Sequence, residues 1–401
     1  PKKVSTPLVR AVFRERSALR RRIFCNVKVY LIGRLWFPMR AFSITPVLLG
    51  LLFSIEGFAN KTSADEPSLI RVPVVGPQSR VVETGRAWVY HVVIPWERLA
   101  QVAERYGVSE EEIREWNGLP ADRHPLRVDM TLRILARKFP PPRNSLTHVV
   151  GENESWESVA KRYGRTAAEL KLWNVQHARR KLKPDIALQI WMDSSLPGLG
   201  SGQKGRLIEP IPVPDGGLSV GRPVKGRLEN GVALPPSELY TIRIPHHAYG
   251  TSYAVRNIQK AISSFRYQSG FKGEIIISDL SRKGGRRLPP HRSHQAGRDV
   301  DIWLPAMPHV RPGKKPDYDE VDWHAAWLLI NAFADTGAVK RIYLDRKVFK
   351  RLRRASKAFG ASWQAYQNLV GGSSLVWHQP GHESHIHVRF RCSAQADRCR
   401  D

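Results

Sequence analysis

Seven residues in two short segments have the types and spacing to hold a metal ion. The first segment, His291-Arg-Ser-His294-Gln-Ala-Gly-Arg-Asp299-Val-Asp301, follows a loop rich in Gly and Pro (Gly284, Gly285, Pro289, Pro290) and runs into an alternating strand. In a strand, Asp299 and Asp301 project to one face while Val300 and Ile302 project to the other. The second segment, His382-Glu-Ser-His385-Ile-His387-Val-Arg389, places His385, His387 and Arg389 on one face in the same way. Two adjacent antiparallel strands would bring His294, Asp301 and His387 together as three ligands with a fourth position left for water. That is the arrangement of a catalytic zinc site, whereas closed structural sites supply four protein ligands. A general base near such a water would come from His382, His385 or Glu383, with His385 or His382 favoured and Glu383 facing solvent or supporting the ligands. His246, His247, His309 and His324 lack this spacing and are expected to be surface or hydrogen-bonded histidines, and His378 is assigned no role.

Ten of the fourteen His fall between His246 and His387, so the chemistry is concentrated in the C-terminal third. The 401 residues are 42% hydrophobic and 25% charged, which excludes collagen-like, fully disordered and multi-pass membrane classes and suggests two or three domains. Three Cys exclude a disulfide scaffold and a Cys-based zinc finger. The net charge of +28 first suggests a nucleic-acid binder. However, residues 1–59 carry eleven Lys or Arg against two acids, and Met39-Arg40, the apolar run Ile44 to Phe53, and Gly57-Phe58-Ala59 have the order of a secretory signal peptide. Met39 is therefore expected to be the true start, with 1–38 upstream of it and 39–59 as the signal. Export makes nucleic acid an unexpected partner and favours an anionic wall or lipid surface; membrane attachment would come only through an uncleaved signal.

A polar linker at 60–86 leads into an internal repeat. Tyr90-His91-Val92-Val93, Ala103, Tyr106-Gly107 and Trp116-Asn117 recur as Thr147-His148-Val149-Val150, Ala160, Tyr163-Gly164 and Trp173-Asn174. Each copy reads as a β run, an amphipathic helix ended by Gly107 or Gly164, a second helix (Glu110 to Trp116, Thr166 to Trp173) and a closing strand (Thr131 to Leu135, Ala187 to Trp191). The order is βααβ, and the repeated Trp116 and Trp173 are expected in the core. These motifs resemble the LysM family over about 88–137 and 147–193, which implies binding to the N-acetylglucosamine-containing glycan of peptidoglycan or chitin. The first loop departs from the family pattern, with Ile94-Pro95-Trp96-Glu97 and Gly151-Glu152-Asn153-Glu154-Ser155 in place of Gly-Asp-Thr. No glycan-binding residue is assigned.

Residues 194–223, rich in Ser, Gly and Pro, read as a flexible linker. Beyond it, "SHQAGRDVDIWL" (Ser293 to Leu304) and "GHESHIHVRFRC" (Gly381 to Cys392) resemble the two signatures of the penicillin-insensitive murein endopeptidases, zinc peptidases with an H-x6-D and H-x-H pattern. Flanking segments agree: Tyr249-Gly250-Thr251 opening a helix, Glu274 to Asp279 as a central strand, and Lys340 to Asp345 as another. The resemblance covers about 224–400 and implies an antiparallel-sheet zinc peptidase domain with flanking helices, so the whole chain reads as α+β. It makes His294, Asp301 and His387 the zinc ligands and His291, His382 and His385 acid/base or substrate-polarising groups. It implies cleavage of the D-alanyl–meso-diaminopimelyl cross-link of peptidoglycan in the periplasm or outside the cell. Penicillins acylate serine, and a metal-activated water offers them no nucleophile to trap. The family often carries a Cys pair where Cys392 and Cys399 stand, and in an exported chain a short-loop disulfide is expected, worth about 2 to 3 kcal/mol.

Two other classes compete with this reading. A non-catalytic wall-binding protein would be expected to have lost a ligand, and His294, Asp301 and His387 are all present. A hydrolase of another bond, such as a D,D-carboxypeptidase or a nuclease, fits the ligands equally, but the export signal and the repeat weigh toward the wall.

Overall fold

The computed structural model describes residues 85–121, 126–371 and 374–401. The signal expected at 39–59 lies outside these residues. Among them, no helix is long and apolar enough to cross a membrane.

The repeat folds as two βααβ modules, β1 (Ala87–Val92), α1 (Leu99–Tyr106), α2 (Glu110–Asn117) and β2 (Thr131–Ala136), then β3 (Arg143–Val149), α3 (Trp156–Arg162), α4 (Ala167–Trp173) and β4 (Ala187–Asp193). In each, the first and last strands pair antiparallel. The second helix starts at a reciprocal cap. Ser109 Oγ accepts the Glu112 N–H at 3.1 Å while the Glu112 carboxylate accepts the Ser109 N–H at 2.9 Å. Thr166 and Glu169 repeat this, so Thr166 is the cap of α4 and not its first residue as the sequence suggested.

The repeated Asn is a latch: Asn117 Nδ2 donates to the Ile113 and Arg133 carbonyls and Oδ1 accepts the Arg133 N–H, and Asn174 does the same with Leu170 and Gln189. One amide thereby fixes each second helix to its closing strand. Trp173 is buried as expected, while Trp116 is half-buried and packs edge-on against Trp88 at 5.5 Å. The unusual first loops also find their reason. His91 Nε2 lies 2.7 Å from Glu97 and Nδ1 3.2 Å from the Tyr106 hydroxyl, and His148 sits at 2.7 and 3.0 Å from Glu154 and Tyr163. Each Glu also accepts a loop N–H, from Ile94 or Gly151, so a Tyr-His-Glu chain, buried in the first module and part-buried in the second, braces the loop.

The C-terminal domain opens with the hairpin β5 (Leu218–Arg222) and β6 (Lys225–Glu229) and the short strands β7 (Val232–Ala233), β8 (Thr241–Ile242) and β9 (Tyr249–Gly250). There follow α5 (Ser252–Ser269), β10 (Ile276–Asp279), β11 (Asp299–Trp303), α6 (Trp323–Asp335), β12 (Val339–Leu344), α7 (Phe349–Ala358), α8 (Trp363–Leu369), β13 (Val376–His378) and β14 (His385–Phe390). Six strands form one sheet in the order β13-β12-β14-β11-β10-β8. Its centre is antiparallel, as the resemblance implied, and both edge pairs are parallel. Val300 and Ile302 pack into the core with α5 and α6, so the alternation of β11 leaves Asp299 and Asp301 on the opposite face.

Two boundaries differ from expectation. Residues 194–223 are a packed strap where the composition suggested a flexible linker. Gln259 holds both backbone groups of Ile211 at 2.9 and 3.0 Å, Ser263 Oγ donates to the Ile208 carbonyl, and the Gly205 N–H reaches the Tyr267 carbonyl at 2.8 Å. Buried polar side chains on α5 satisfy the strap's backbone, which composition cannot reveal. The domain also begins before 224, because the Gly221 N–H donates to the Arg398 carbonyl at 2.9 Å and the Arg400 N–H to the Gly221 carbonyl at 3.0 Å. Cys392 and Cys399 are joined in a disulfide, closing this C-terminal turn.

The second module is locked to the C-terminal domain by a buried carboxylate. Asp322, the cap of α6, accepts from Ser194 Oγ (2.7 Å), the Ser195 N–H (2.6 Å) and Asn144 Nδ2 (3.0 Å), and Asn144 Oδ1 in turn accepts from His324 Nδ1 (2.9 Å). Burial holds His324 at a pKa of about 4, against the opposing pull of Asp322. The unfolded chain takes up this proton near pH 6.5, so the contribution is complete above that pH and is lost as pH falls from about 6.5 toward 4. We therefore expect the urea midpoint of His324→Gln to fall less than that of the wild type between pH 7 and 4.5. Equal falls would show that the junction is not acid-sensitive.

Candidate metal centre

The register of the sheet assembles the site. Asp301 pairs with His387 and Asp299 with Arg389 across β11 and β14, Asp301 also pairs with Asp279 of β10, and Tyr343 of β12 stands on the other side of His387. The loop before β11 then brings in His291 and His294. His294 has φ 65, a left-handed conformation costing a side-chain-bearing residue about 1 kcal/mol or more. Its N–H donates to Asp299 Oδ2 at 3.2 Å, which helps to hold it there.

His294 Nδ1 donates to the Leu280 carbonyl at 2.6 Å, which fixes the tautomer and leaves Nε2 with a free lone pair. That Nε2 lies 3.4 Å from Asp301 Oδ1, and His387 Nδ1 lies 3.1 Å from the same oxygen. His294 Nε2, Asp301 Oδ1 and His387 Nε2 are all buried without a properly aligned hydrogen-bond partner among the described residues. Buried polar atoms are normally satisfied, and the facing pair His294 Nε2 and Asp301 Oδ1 suits a cation. The His387 Nε2 orphan lies on the Asp299 side, 3.4 Å from its carboxylate, so His387 faces Asp301 through Nδ1. Ligand atoms of His291, His294 and Asp301 also lie within 4.8 Å of one another, so His291 joins the set as a further candidate ligand.

Burial alone would raise the Asp301 pKa, yet His294 and His387 hold it well below the carboxylate range. Burial opposes the charge on His387, but Asp301 and Asp299 outweigh it and raise the pKa to about 9. Asp299 is not free to ligate. Arg389 Nε and Nη2 grip its two oxygens at 2.7 and 3.2 Å, while Nη1 reaches the Tyr343 hydroxyl at 3.1 Å.

The remaining histidines form a second group. His382 and His385 have ring centroids 4.6 Å apart, and His382 lies 6.0 Å from His387. His382 Nδ1 donates to the Pro380 carbonyl at 3.0 Å, leaving Nε2 able to accept a proton. Burial lowers the pKa of His382, and lowers that of His385 to about 3 with Lys315 at 3.4 Å contributing, so both are neutral at pH 7. Glu383 faces outward and pairs with Lys347 at 2.7 Å.

Residues 219–401 match a family described as penicillin-insensitive murein endopeptidase. The C-terminal domain belongs to that family. Residues 91–135 and 148–191 match the LysM domain. A protein of Haemophilus influenzae described as a penicillin-insensitive murein endopeptidase is 29% identical over 219 residues, covering 47% of this chain and 69% of its own. Proteins of the same description from Yersinia enterocolitica (31% over 162 residues, 34% of this chain and 52% of that one) and Salmonella arizonae (29% over 244 residues, 55% and 81%) are similar too. The chain thus spans about half of the Yersinia relative.

The murein endopeptidase domain contains two site residues that its sequence did not single out. His247, expected to be an ordinary histidine, donates from Nδ1 to Asp279 Oδ1 at 2.8 Å, and Asp279 Oδ2 lies 3.8 Å from His291. A His247-Asp279 pair therefore stands beside the candidate ligand His291. The available signal was an Asp closing the apolar run Ile275 to Ile277, since a carboxylate at the end of a buried strand needs a partner. His324 and His309 serve domain contacts, His309 against Tyr163 at 5.6 Å, and His378 Nδ1 accepts the Arg346 N–H at 2.9 Å.

Proposed function

We propose that this protein is an exported zinc peptidase that hydrolyses the D-alanyl–meso-diaminopimelyl cross-link of peptidoglycan and is held on the wall by its two LysM domains. The observation that carries this reading is the cluster of ligand atoms on His291, His294 and Asp301, all within 4.8 Å of one another, with His387 Nδ1 3.1 Å from the same carboxylate. Two imidazoles and one carboxylate suit zinc, and three ligands leave a position open. The chemistry supplied by a bound zinc ion is polarisation of the scissile carbonyl and a lowered pKa for an attacking water.

The chain's own groups do the rest. Leu280 and Asp299 orient His294, and Asp299, gripped by Arg389, lies 3.4 Å from His387 Nε2. His382, neutral and with Nε2 free, is the group we assign to take the proton from water and pass it to the leaving amine. His385 is the less suitable base, because a pKa of about 3 makes it a weak proton acceptor. His291 either completes the ligand set or polarises the substrate.

Full-length protein incubated with sacculi is expected to convert cross-linked muropeptide dimers to monomers, to lose this activity with a chelator and to regain it with zinc. The mass of the new ends names the bond, D,D or L,D, and plasmid DNA is expected to stay intact. Pelleting with sacculi while the muropeptide profile stays unchanged would leave a wall-binding protein without the chemistry assigned here.

A further inference from the structure

Between the LysM domains and α7 lies a cavity of about 450 Å³ that touches all three domains. Val128 and Asp129 of the first LysM domain, Ser145, Gln189 and Trp191 of the second, and Tyr318 and α7 of the endopeptidase domain line it. Its lining holds six cations (Lys347, Lys350, Arg351, Arg353, Arg354, Lys357) against the single carboxylate of Asp129.

Two of these cations build the walls. Arg354 donates to the Val92 and Val93 carbonyls at 3.0 and 3.1 Å, pairs with Asp129 and lies over the Trp191 ring at 4.7 Å. Arg351 pairs with Asp319 at 2.7 Å, bonds Ser145 and lies over Tyr318 at 5.2 Å. Their rigid forks are committed to protein acceptors and each is paired with one carboxylate, Asp129 or Asp319, so the uncompensated charge of the cleft comes from the other lining cations. Burial lowers the pKa of Arg354 only to about 10, so it stays cationic at neutral pH. Lys350, by contrast, is exposed and has no ion-pair or hydrogen-bond partner among the described residues. Lys347 ties the cavity to the catalytic segment through Glu383, the neighbour of His382.

We propose that this cleft binds the multiply carboxylated stem peptide of the wall, with Lys350 as a carboxylate contact. The proposal rests on the peptidase reading, whose substrate contains diaminopimelate, an amino acid with two carboxylates. A volume of about 450 Å³ is in the range of sites that hold a few residues of peptide. An excess of cations in a walled cleft focuses potential on an incoming anion. A stem peptide held here would be presented by the LysM domains and the endopeptidase domain together.

The test measures binding of a soluble, uncross-linked diaminopimelate-containing tetrapeptide to full-length, chelator-treated protein by calorimetry. Lys350→Glu is expected to weaken the Kd about tenfold, and to lose most of the salt dependence. Lys272→Glu, the same charge change at an exposed site outside the cleft, is expected to leave it unaltered. A peptide with amidated carboxylates is expected to bind about as weakly as the Lys350→Glu protein binds the free acid. Equal affinity for wild type and Lys350→Glu, equal affinity for the amidated peptide, or binding of polyphosphate in place of the peptide would each overturn the proposal. Cleavage of a soluble cross-linked dimer by zinc-loaded wild type separates the two readings. Cleavage without Lys350-dependent binding sinks the cleft alone, and Lys350-dependent binding without cleavage sinks the peptidase reading alone.

Discussion

Asp301→Ala is expected to reduce cross-link cleavage by more than about a hundredfold and to lower bound zinc from about one ion per chain to under about a tenth. Asp301 is the hub of the centre, with His294 Nε2, His387 Nδ1 and His291 Nδ1 all within 3.4 Å of its carboxylate. Losing a supporting group around a metal costs about ten- to a hundredfold, so losing the central ligand should cost more. Asp301 also compensates the buried charge of His387, so both Asp301→Ala and Asp301→Asn are expected to melt below the metal-free wild type, Asp301→Ala by more than the near-isosteric Asp301→Asn, while neither binds zinc tightly. Wild-type zinc content and activity in Asp301→Ala would show that the centre lies elsewhere.

Arg389→Met is expected to destabilise the protein by about 3 to 5 kcal/mol, the usual cost of stranding one partner of a buried ion pair. Asp299 is 1% exposed. Burial would raise its pKa, and it is held well below the usual range by His387 and Arg389 together. Methionine fills the volume but supplies no donor, so Asp299 must either stay charged without its fork or take up a proton. Since Asp299 also accepts the His294 N–H, zinc affinity is expected to weaken about ten- to a hundredfold in the same variant. Arg389→Lys restores the charge without the two-pronged geometry and is expected to recover only part of both losses. A denaturant midpoint and zinc Kd unchanged in Arg389→Met would mean that the pair supports neither fold nor site.

Much of this protein is legible in its residues because it depends on periodicity over a few positions. Alternation in Asp299 to Ile302 and in His385 to Arg389 specifies which side chains share a face, and the antiparallel pairing that sets Asp301 opposite His387 follows that pattern. The offset of the repeat gives two modules with the same latch and the same Tyr-His-Glu chain, because Asn117 and Asn174, or His91 and His148, meet neighbours at equivalent positions.

The larger misreadings involve partners distant in sequence or hidden by composition. Ser, Gly and Pro suggested a free linker at 194–223, but Gln259 and Ser263 on α5 bind its backbone. His247 has no neighbour in sequence that hints at chemistry, since Asp279 lies 32 residues away. Asn144 and Asp322 are separated by 178 residues, and nothing local to either predicts that they meet.

The sequence by itself therefore determined the two βααβ units and which residues of β11 and β14 share a face, because side-chain direction is set by backbone period. Only the tertiary structure decided that His294 has a fixed tautomer, that Asp299 belongs to Arg389 and not to a metal, and that three domains enclose a basic cleft. Those facts depend on which distant donors remain unpaired once the chain is packed, and pairing of that kind is a property of the whole fold.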